Sequence, residues 1–437
     1  MYKVDPKTGK QKFYSTAGFQ SIASALISIL IGLIVGMLII IFVGLTREEI
    51  STKGMLEGVK LVFFGLFNTG RVDNQLTFGF NPVNFGNMLF RGIPLIMTGL
   101  SVAVAFKTGL FNIGAPGQYL MSTAATLYVA IVVPTETVPA WLVWVFAFGA
   151  GIIAGALWGA IPGLLKATLN INEVITCIMT NWIAANLVTW FFDARDYLKN
   201  SDEAGKIGYI KTTASNGVET AKMGLDKLFP GSQVNGGIVI AVIIAILIYI
   251  LMTKTTFGYK LKACGSNRHA AKYAGINDKA SIIASMAIAG GLAGAGASLY
   301  YLSGHTEFYW STYMSLPAEG FNGIPVALLA SNHPIGVIFA GIFMSLLNID
   351  GLMIKSLTAY NEYIADIIIA SIVYLSAFAM IVKQVIGRKG RKAGNTNVND
   401  EPDPALLEAQ RAAAKAAMQV EANDAEPAPA EEEGGNK

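Results

Sequence analysis

Polar and charged positions along this chain gather in clusters, and between the clusters run apolar segments long enough to cross a bilayer. A helix rises about 1.5 Å per residue, so roughly 20 apolar residues span a hydrocarbon core about 30 Å thick. Segments bounded by charge, Pro or Asn predict about ten spans. These run Phe19 to Leu45, Met88 to Phe106, Gln118 to Val133, Ala140 to Leu169 and Asn172 to Phe192. Gly236 to Met252, Ser281 to Ser303, Phe321 to Ala330, Pro334 to Leu347 and Tyr363 to Val382 follow. The stretch from Phe321 is too short for a full crossing and reads as a broken or re-entrant helix. The predicted fold class is an all-α polytopic membrane protein. The first run, about 25 residues without a small-residue cleavage site after it, is a retained helix rather than a signal peptide.

Composition agrees: 53% of the 437 residues are hydrophobic and 14% charged, against about 25% charged in a soluble domain. A net charge of +3 is too small and dispersed to point to nucleic acid as a partner. Its distribution sets orientation instead, because cytoplasmic segments beside spans collect Lys and Arg. Lys3, Lys7, Lys10 and Lys12 precede the first span, and Lys254, Lys260, Lys262, Arg268, Lys272 and Lys279 follow the sixth. Lys383, Arg388, Lys389, Arg391 and Lys392 follow the last. All three segments face the cytoplasm in an N-in, C-in topology.

The organisation that results is a cytoplasmic segment 1–18, a transmembrane domain 19–382 and a cytoplasmic tail 383–437, basic and then acidic. Within the membrane domain, 193–235 is an external insert whose charges nearly balance, as in a small folded cap, and 253–280 is a cytoplasmic loop. The tail beyond Asn395 is rich in Ala, Glu and Pro and buries too little apolar surface to order itself. Gly151, Gly155, Gly159 and Gly163 share one helix face, as do Gly290 with Gly294 and Gly32 with Gly36. Such stripes let helix backbones approach closely and pack by dispersion.

Enzymatic chemistry is not legible. The chain has no phosphate-binding P-loop, no HExxH, no GxSxG and no CxxC, so no catalytic residue, metal ligand or bound cofactor is expected. His269, His305 and His333 are isolated in predicted loops, and Cys177 and Cys264 lack metal or disulfide spacing. Arg91, Glu173 and Asp366 fall near span ends, where charged side chains reach the interface.

Uncharged polarity inside the membrane segments is the stronger signal. Asn112 and Gln118 flank a Gly-Pro break within Phe111-Asn-Ile-Gly-Ala-Pro-Gly-Gln118, and Asn172 and Glu173 open a later helix. Glu173, Cys177 and Asn181 recur every fourth residue and share a face. A face bearing amides suits a neutral hydrogen-bonding solute such as a sugar or nucleoside; the alternative is that the amides tie helices together. Phe111-Asn-Ile-Gly and Phe321-Asn-Gly-Ile resemble each other and begin spans of opposite predicted direction, a hint of an inverted repeat.

The basic loop Gly258 to Ile276 carries breaks at Gly265 and Gly275 around a short helix that Asn267 caps and that runs to Tyr273. It resembles the coupling loop of permease subunits in bacterial ABC importers of the ribose and branched-chain amino acid class. Gly265, Ala270, Ala271, Gly275 and Ile276 match that pattern, and Asn267, Arg268 and Tyr273 lie within it. The resemblance extends over roughly residues 85 to 385. It includes Gly109-Leu-Phe-Asn-Ile-Gly114 with Gly117 and Gln118, Asn172-Glu-Val-Ile175 with Asn181, and Gly320-Phe-Asn-Gly-Ile-Pro-Val-Ala-Leu-Leu329. Together these are similar to the nucleoside-uptake branch, whose binding lipoprotein is of the basic membrane protein type. Pro116 departs from the Glu of many relatives.

The resemblance implies a multi-pass permease subunit in the cell membrane, surrounded by lipid and paired with a second, non-identical permease. Asn112, Gln118, Asn172, Glu173, Asn181, Phe321 and Asn322 are the expected path residues for a nucleoside or sugar. The coupling loop would contact a separate ABC ATPase, which holds the ATP and Mg, and an external lipoprotein would deliver substrate. A simple-sugar permease and an ion-coupled secondary transporter are the alternatives.

Overall fold

The structure is a computed structural model that describes residues 17–198, 210–212, 216–310, 316–361 and 363–377. The expected N-terminal segment up to residue 16, the tail from residue 378 and part of the insert lie outside the described residues. The chain opens with α1 (Ala17–Thr46), α2 (Thr52–Phe64) and a hairpin of β1 (Asn68–Val72) and β2 (Gln75–Phe78). Then come α3 (Pro82–Lys107), α4 (Ala115–Val132), α5 (Ala140–Leu169), α6 (Glu173–Asp193) and the single turn α7 (Leu225–Leu228). The second half holds α8 (Gly237–Lys254), α9 (Thr256–Ser266), α10 (Arg268–Tyr273), α11 (Asp278–Tyr301), α12 (Ala318–Leu329), α13 (Pro334–Leu357) and α14 (Tyr363–Ala377).

Among the described residues, six helices are long and apolar enough to cross a membrane: α3, α5, α6, α8, α11 and α13. Asparagine starts several helices of the chain, its side-chain oxygen accepting from first-turn N–H groups that have no intrahelical partner. Asn81 does so for α3, Asn172 for α6, Asn267 for α10 and Asn277 for α11. Asn170, in the left-handed conformation, ends α5.

Helices α3 and α11 form the enclosed centre, with α13 on one side of α3 and α5 outside α11. The glycine stripe of α5 lies against α11. A Cβ at Gly155 would overlap the carbonyl oxygen of Gly290, and one at Gly159 would come 2.5 Å from that of Met286. The paired stripes are thus a backbone-to-backbone seam, with Thr126 and Ser298 hydroxyls bonded at 2.7 Å beside it. Helices α1 and α14 meet at Gly36 and Ile368, and the Tyr360 hydroxyl donates to the Ile40 carbonyl at 2.7 Å.

The described parts of the insert cap one end of the bundle. Asn216 Nδ2 donates to the carbonyls of Ala130, Ile131 and Val133 at the end of α4, and Thr220 N donates to the Leu302 carbonyl after α11. Gln233 N donates to Asn87 Oδ1 at the start of α3. The bonds from Asn216 and Thr220 satisfy carbonyls that the C-terminal ends of α4 and α11 leave open.

Several expectations are corrected. The loop 253–280 is largely helical, and Gly265 does not break it but lies inside α9. His269 lies in the short helix α10, and His333 lies in the turn before α13, which it caps. Arg91 sits in the third turn of α3, because that helix begins at Pro82 and not at Met88. Helix α13 continues to Leu357, ten residues beyond the expected end at Leu347. Phe321 and Asn322 fall inside α12, whereas Phe111 to Gly114 is non-helical, so the two similar tetrapeptides differ in local structure.

Candidate functional site

The chain after α3 folds back on itself. Thr108 and Gly109 make the turn, with Gly109 at φ +72°, a left-handed conformation suited to glycine. The following segment returns alongside the last turns of α3, for Asn112 Nδ2 donates to Ser101 Oγ at 3.0 Å. Helix α4 therefore starts inside the layer spanned by α3, as a discontinuous helix whose backbone must be satisfied by protein.

Amides satisfy it. Asn112 and Gln118 face each other as a reciprocal pair, Asn112 Nδ2 donating to Gln118 Oε1 at 2.8 Å and Gln118 Nε2 to Asn112 Oδ1 at 3.0 Å. Asn112 Oδ1 also accepts from Gly114 N at 3.1 Å. From α6, Asn181 clasps the break: its Oδ1 accepts from Gly117 N at 2.9 Å and its Nδ2 donates to the Ile113 carbonyl at 3.0 Å. Asn112, Gln118 and Asn181 are 0%, 1% and 2% exposed.

The structure thus brings Asn112, Gln118 and Asn181 together, with Cys177 buried beside them. Asn172 and Glu173 lie two turns away at the start of α6, where Glu173 pairs with Lys166 of α5 at 3.0 Å. Phe321 and Asn322 lie on α12 and not in this amide network. The glycine that follows Glu319 packs on Pro116, since a Cβ at Gly320 would approach Pro116 Cα to 2.5 Å. The discontinuous helices α4 and α12 therefore meet at their N-terminal turns.

Removing the Asn181 side chain orphans a buried N–H and a buried carbonyl, each at about 1–3 kcal/mol. Asn181→Ala is therefore expected to lower stability by roughly 2–6 kcal/mol, read as a reduced melting temperature of the purified protein. An unchanged melting temperature would show that the clasp holds nothing.

Helix α9 reaches this break from the basic side. A Cβ on Gly265 would lie 2.5 Å from the carbonyl carbon of Thr108 and 2.7 Å from Gly109 N. Thr108 Oγ1 also bonds the Ser285 hydroxyl of α11. Beyond α9, helix α10 is anchored by buried Ala271 and by the Arg268 to Asp278 pair, Nε to Oδ2 at 2.6 Å. Its outer side presents His269, Lys272 and Tyr273, the last 94% exposed. Gly275, at φ +77° with open space around it, closes the helix.

Residues 84–377 match the family described as branched-chain amino acid transport system / permease component. The chain belongs to this family. The permease is 31% identical over 374 residues to the guanosine ABC transporter permease protein NupP of Bacillus subtilis, covering 85% of this chain and 97% of that one. It is 35% identical over 369 residues to the nucleoside ABC transporter permease protein NupB of Lactococcus lactis, covering 78% and 99%. Over 293 residues it is 30% identical to the glucose ABC transporter permease protein TsgB13 of Haloferax volcanii, covering 65% and 74%. No solved structure matches. The permease is thus a multi-pass membrane protein, mostly helical among the described residues.

Two features were not anticipated. Asp350, 2% exposed on the extended part of α13, is a buried carboxyl packed against Gly65. An acid within an apolar helix is the signal that would have found it. Glu319, Tyr119 and Tyr301 converge from three helices, which no local spacing announces.

Proposed function

We propose that this chain is a permease subunit of an ATP-driven nucleoside importer in the cell membrane. The likeness to the nucleoside permeases, which runs through nearly their whole length, carries this reading. Geometry supports it: α10 offers an exposed platform, and α9 connects that platform through Gly265 to the Thr108–Gly109 turn and the amide-clasped break. Movement of the platform by an ATP-hydrolysing partner would then shift a discontinuous helix, whose backbone bonds depend on the side chains of Asn112 and Asn181, with Gln118 holding Asn112.

In this reading the six long helices are joined by α1, α4, α12 and α14 to make ten membrane elements, N-in and C-in. The ends of α3, α5 and α8, with Lys107, Lys166 and Lys254, lie with α9 and α10 at the cytoplasmic end. Asn112, Gln118, Asn172, Glu173, Asn181, Phe321 and Asn322 flank the path; Gly265, Asn267, Arg268, Ala270, Ala271, Tyr273, Gly275 and Ile276 serve the ATPase contact. The chain itself is not an enzyme and takes no nucleotide or metal. ATP and Mg belong to the ATPase, a second permease completes the path and an external lipoprotein delivers the nucleoside.

Purification of the intact chain from its own membranes is expected to retain an ATP-binding subunit and a second permease, identified by mass spectrometry. A chain that is active in uptake while purifying alone would point to a secondary transporter. A sugar substrate is the second reading, favoured by the likeness to the glucose permease. Competition of nucleoside uptake by excess glucose or ribose separates the two, and none is expected.

A further inference from the structure

We infer that Tyr119, Tyr301 and Glu319 form a substrate-reading subsite where α4 meets α12, one that takes the hydrogen-bond donors of a nucleoside. The inference rests on the nucleoside-import reading and extends it to residues outside the amide clasp.

Tyr119 is the first observation. Its side chain is fully buried, yet its hydroxyl has no hydrogen-bond partner among the described residues. A buried hydroxyl without a partner costs free energy, of the order that makes such groups rare in folded proteins. The protein therefore retains a phenol where a phenylalanine would fill the same space at lower cost. A ligand that pairs with the hydroxyl in another state of the transport cycle accounts for it.

The surroundings supply the rest. Tyr119 lies three residues after Pro116, on the face of α4 that Gly320 of α12 packs against. Glu319, next to Gly320, is half-buried in the first turn of α12 and lies within electrostatic reach of Tyr119, Tyr300 and Tyr301. No ion pair holds it among the described residues. The Tyr119 and Tyr301 rings meet edge to face at 6.3 Å, and Tyr300, stacked on Phe90 at 5.4 Å, fixes the end of α11 that carries Tyr301.

This first turn has no side-chain cap, since Pro317 precedes it. Its free N–H groups and the helix dipole favour a carboxylate there. The oxygens of a carboxyl group accept hydrogen bonds. Beside a free phenol and an aromatic wall it suits a flat, uncharged solute rich in N–H and O–H donors. On a nucleoside these donors are the ribose hydroxyls and the N–H edge of a purine.

The test uses the complete transporter in its native membrane, with labelled guanosine as substrate and unlabelled inosine and 2′,3′-dideoxyguanosine as competitors. Tyr119→Phe removes only the unpaired hydroxyl, so it is expected to raise the KM of uptake about ten-fold, the effect of one lost hydrogen bond of about 1.4 kcal/mol. Its melting temperature should be equal to or above that of the wild type. Glu319→Gln is expected to weaken discrimination against one competitor. Loss against inosine, which lacks the exocyclic amine, assigns the carboxylate to the base; loss against the dideoxy compound assigns it to the ribose.

Wild-type KM and unchanged discrimination in both variants would overturn the subsite. A Tyr119→Phe protein that melts lower and transports less in proportion would also overturn it, showing that the hydroxyl is structural. If the wild-type transporter itself carries no nucleoside, the import reading fails, and the subsite fails with it.

Discussion

Gly155→Leu is expected to prevent assembly of a stable permease. At this position α5 and α11 are in backbone contact: a Cβ would overlap the Gly290 carbonyl oxygen, and Gly290 in turn would drive a Cβ into Gly155. The obstruction is backbone and not a flexible side chain, so the helices must separate along the seam that runs from Gly151 to Gly163. Between membrane helices there is little hydrophobic force to resist separation, and dispersion across the seam carries the association. Overpacking typically costs 1–3 kcal/mol and occasionally more; here both helices must shift, and a loss of at least about 3 kcal/mol is expected. The check is the monodisperse fraction and melting temperature in detergent. Leu157→Ala, on the exposed side of the same helix, serves as control and should stay within about 0.5 kcal/mol of the wild type. Equal behaviour of the two variants would remove the seam from the account.

Gly265→Val is expected to separate ATP hydrolysis from transport. The substitution pushes a branched side chain into Thr108 and Gly109, the turn that leads into the amide-clasped break. Helix α9 would have to lift from that turn, while the exposed side of α10 remains intact for docking. Uptake should fall at least about ten-fold, equivalent to about 1.4 kcal/mol in the coupled step, while hydrolysis by the assembled complex persists. Gly275→Val makes a useful comparison, because open space surrounds that glycine and only its φ of +77° opposes a side chain. Its effect should be confined to the end of α10. A Gly265→Val complex that transports normally would show that α9 does not transmit the stroke.

The long helices were legible because each apolar run must satisfy its backbone internally, which leaves helix as its only state in lipid. The run Ala140 to Leu169 coincides with α5 at both ends, and Asn267 marks the start of α10 as its side chain predicts. The glycine stripes announced a close approach, though not which helix would fill it. Helix α2 was missed because Lys53, Glu57 and Lys60 interrupt a segment of only 13 residues. Glu57 is in fact buried by pairing with Arg71 of the hairpin at 2.6 Å, a partner that periodicity cannot supply.

Glycine is the residue whose meaning was least legible. At Gly265 it reads as a break, yet it serves contact between two backbones, and only tertiary structure separates these uses. The polar end Asn348-Ile-Asp350-Gly similarly reads as a stop to α13. Burial keeps the helix going, since its backbone groups would otherwise lack partners. Asn112, Gln118 and Asn181 were visible as polar residues in apolar runs, while their mutual bonding was not. The convergence of Tyr119, Tyr301 and Glu319 had no sequence signal at all, because it arises where three helices cross.

The central claim is that this permease serves ATP-driven import of nucleosides. Its most direct test is uptake of labelled guanosine by cells with and without the chain, after ion gradients are collapsed and ATP is preserved. The account predicts uptake that requires the chain and survives the collapse. Chain-dependent uptake that disappears with the gradients would contradict it.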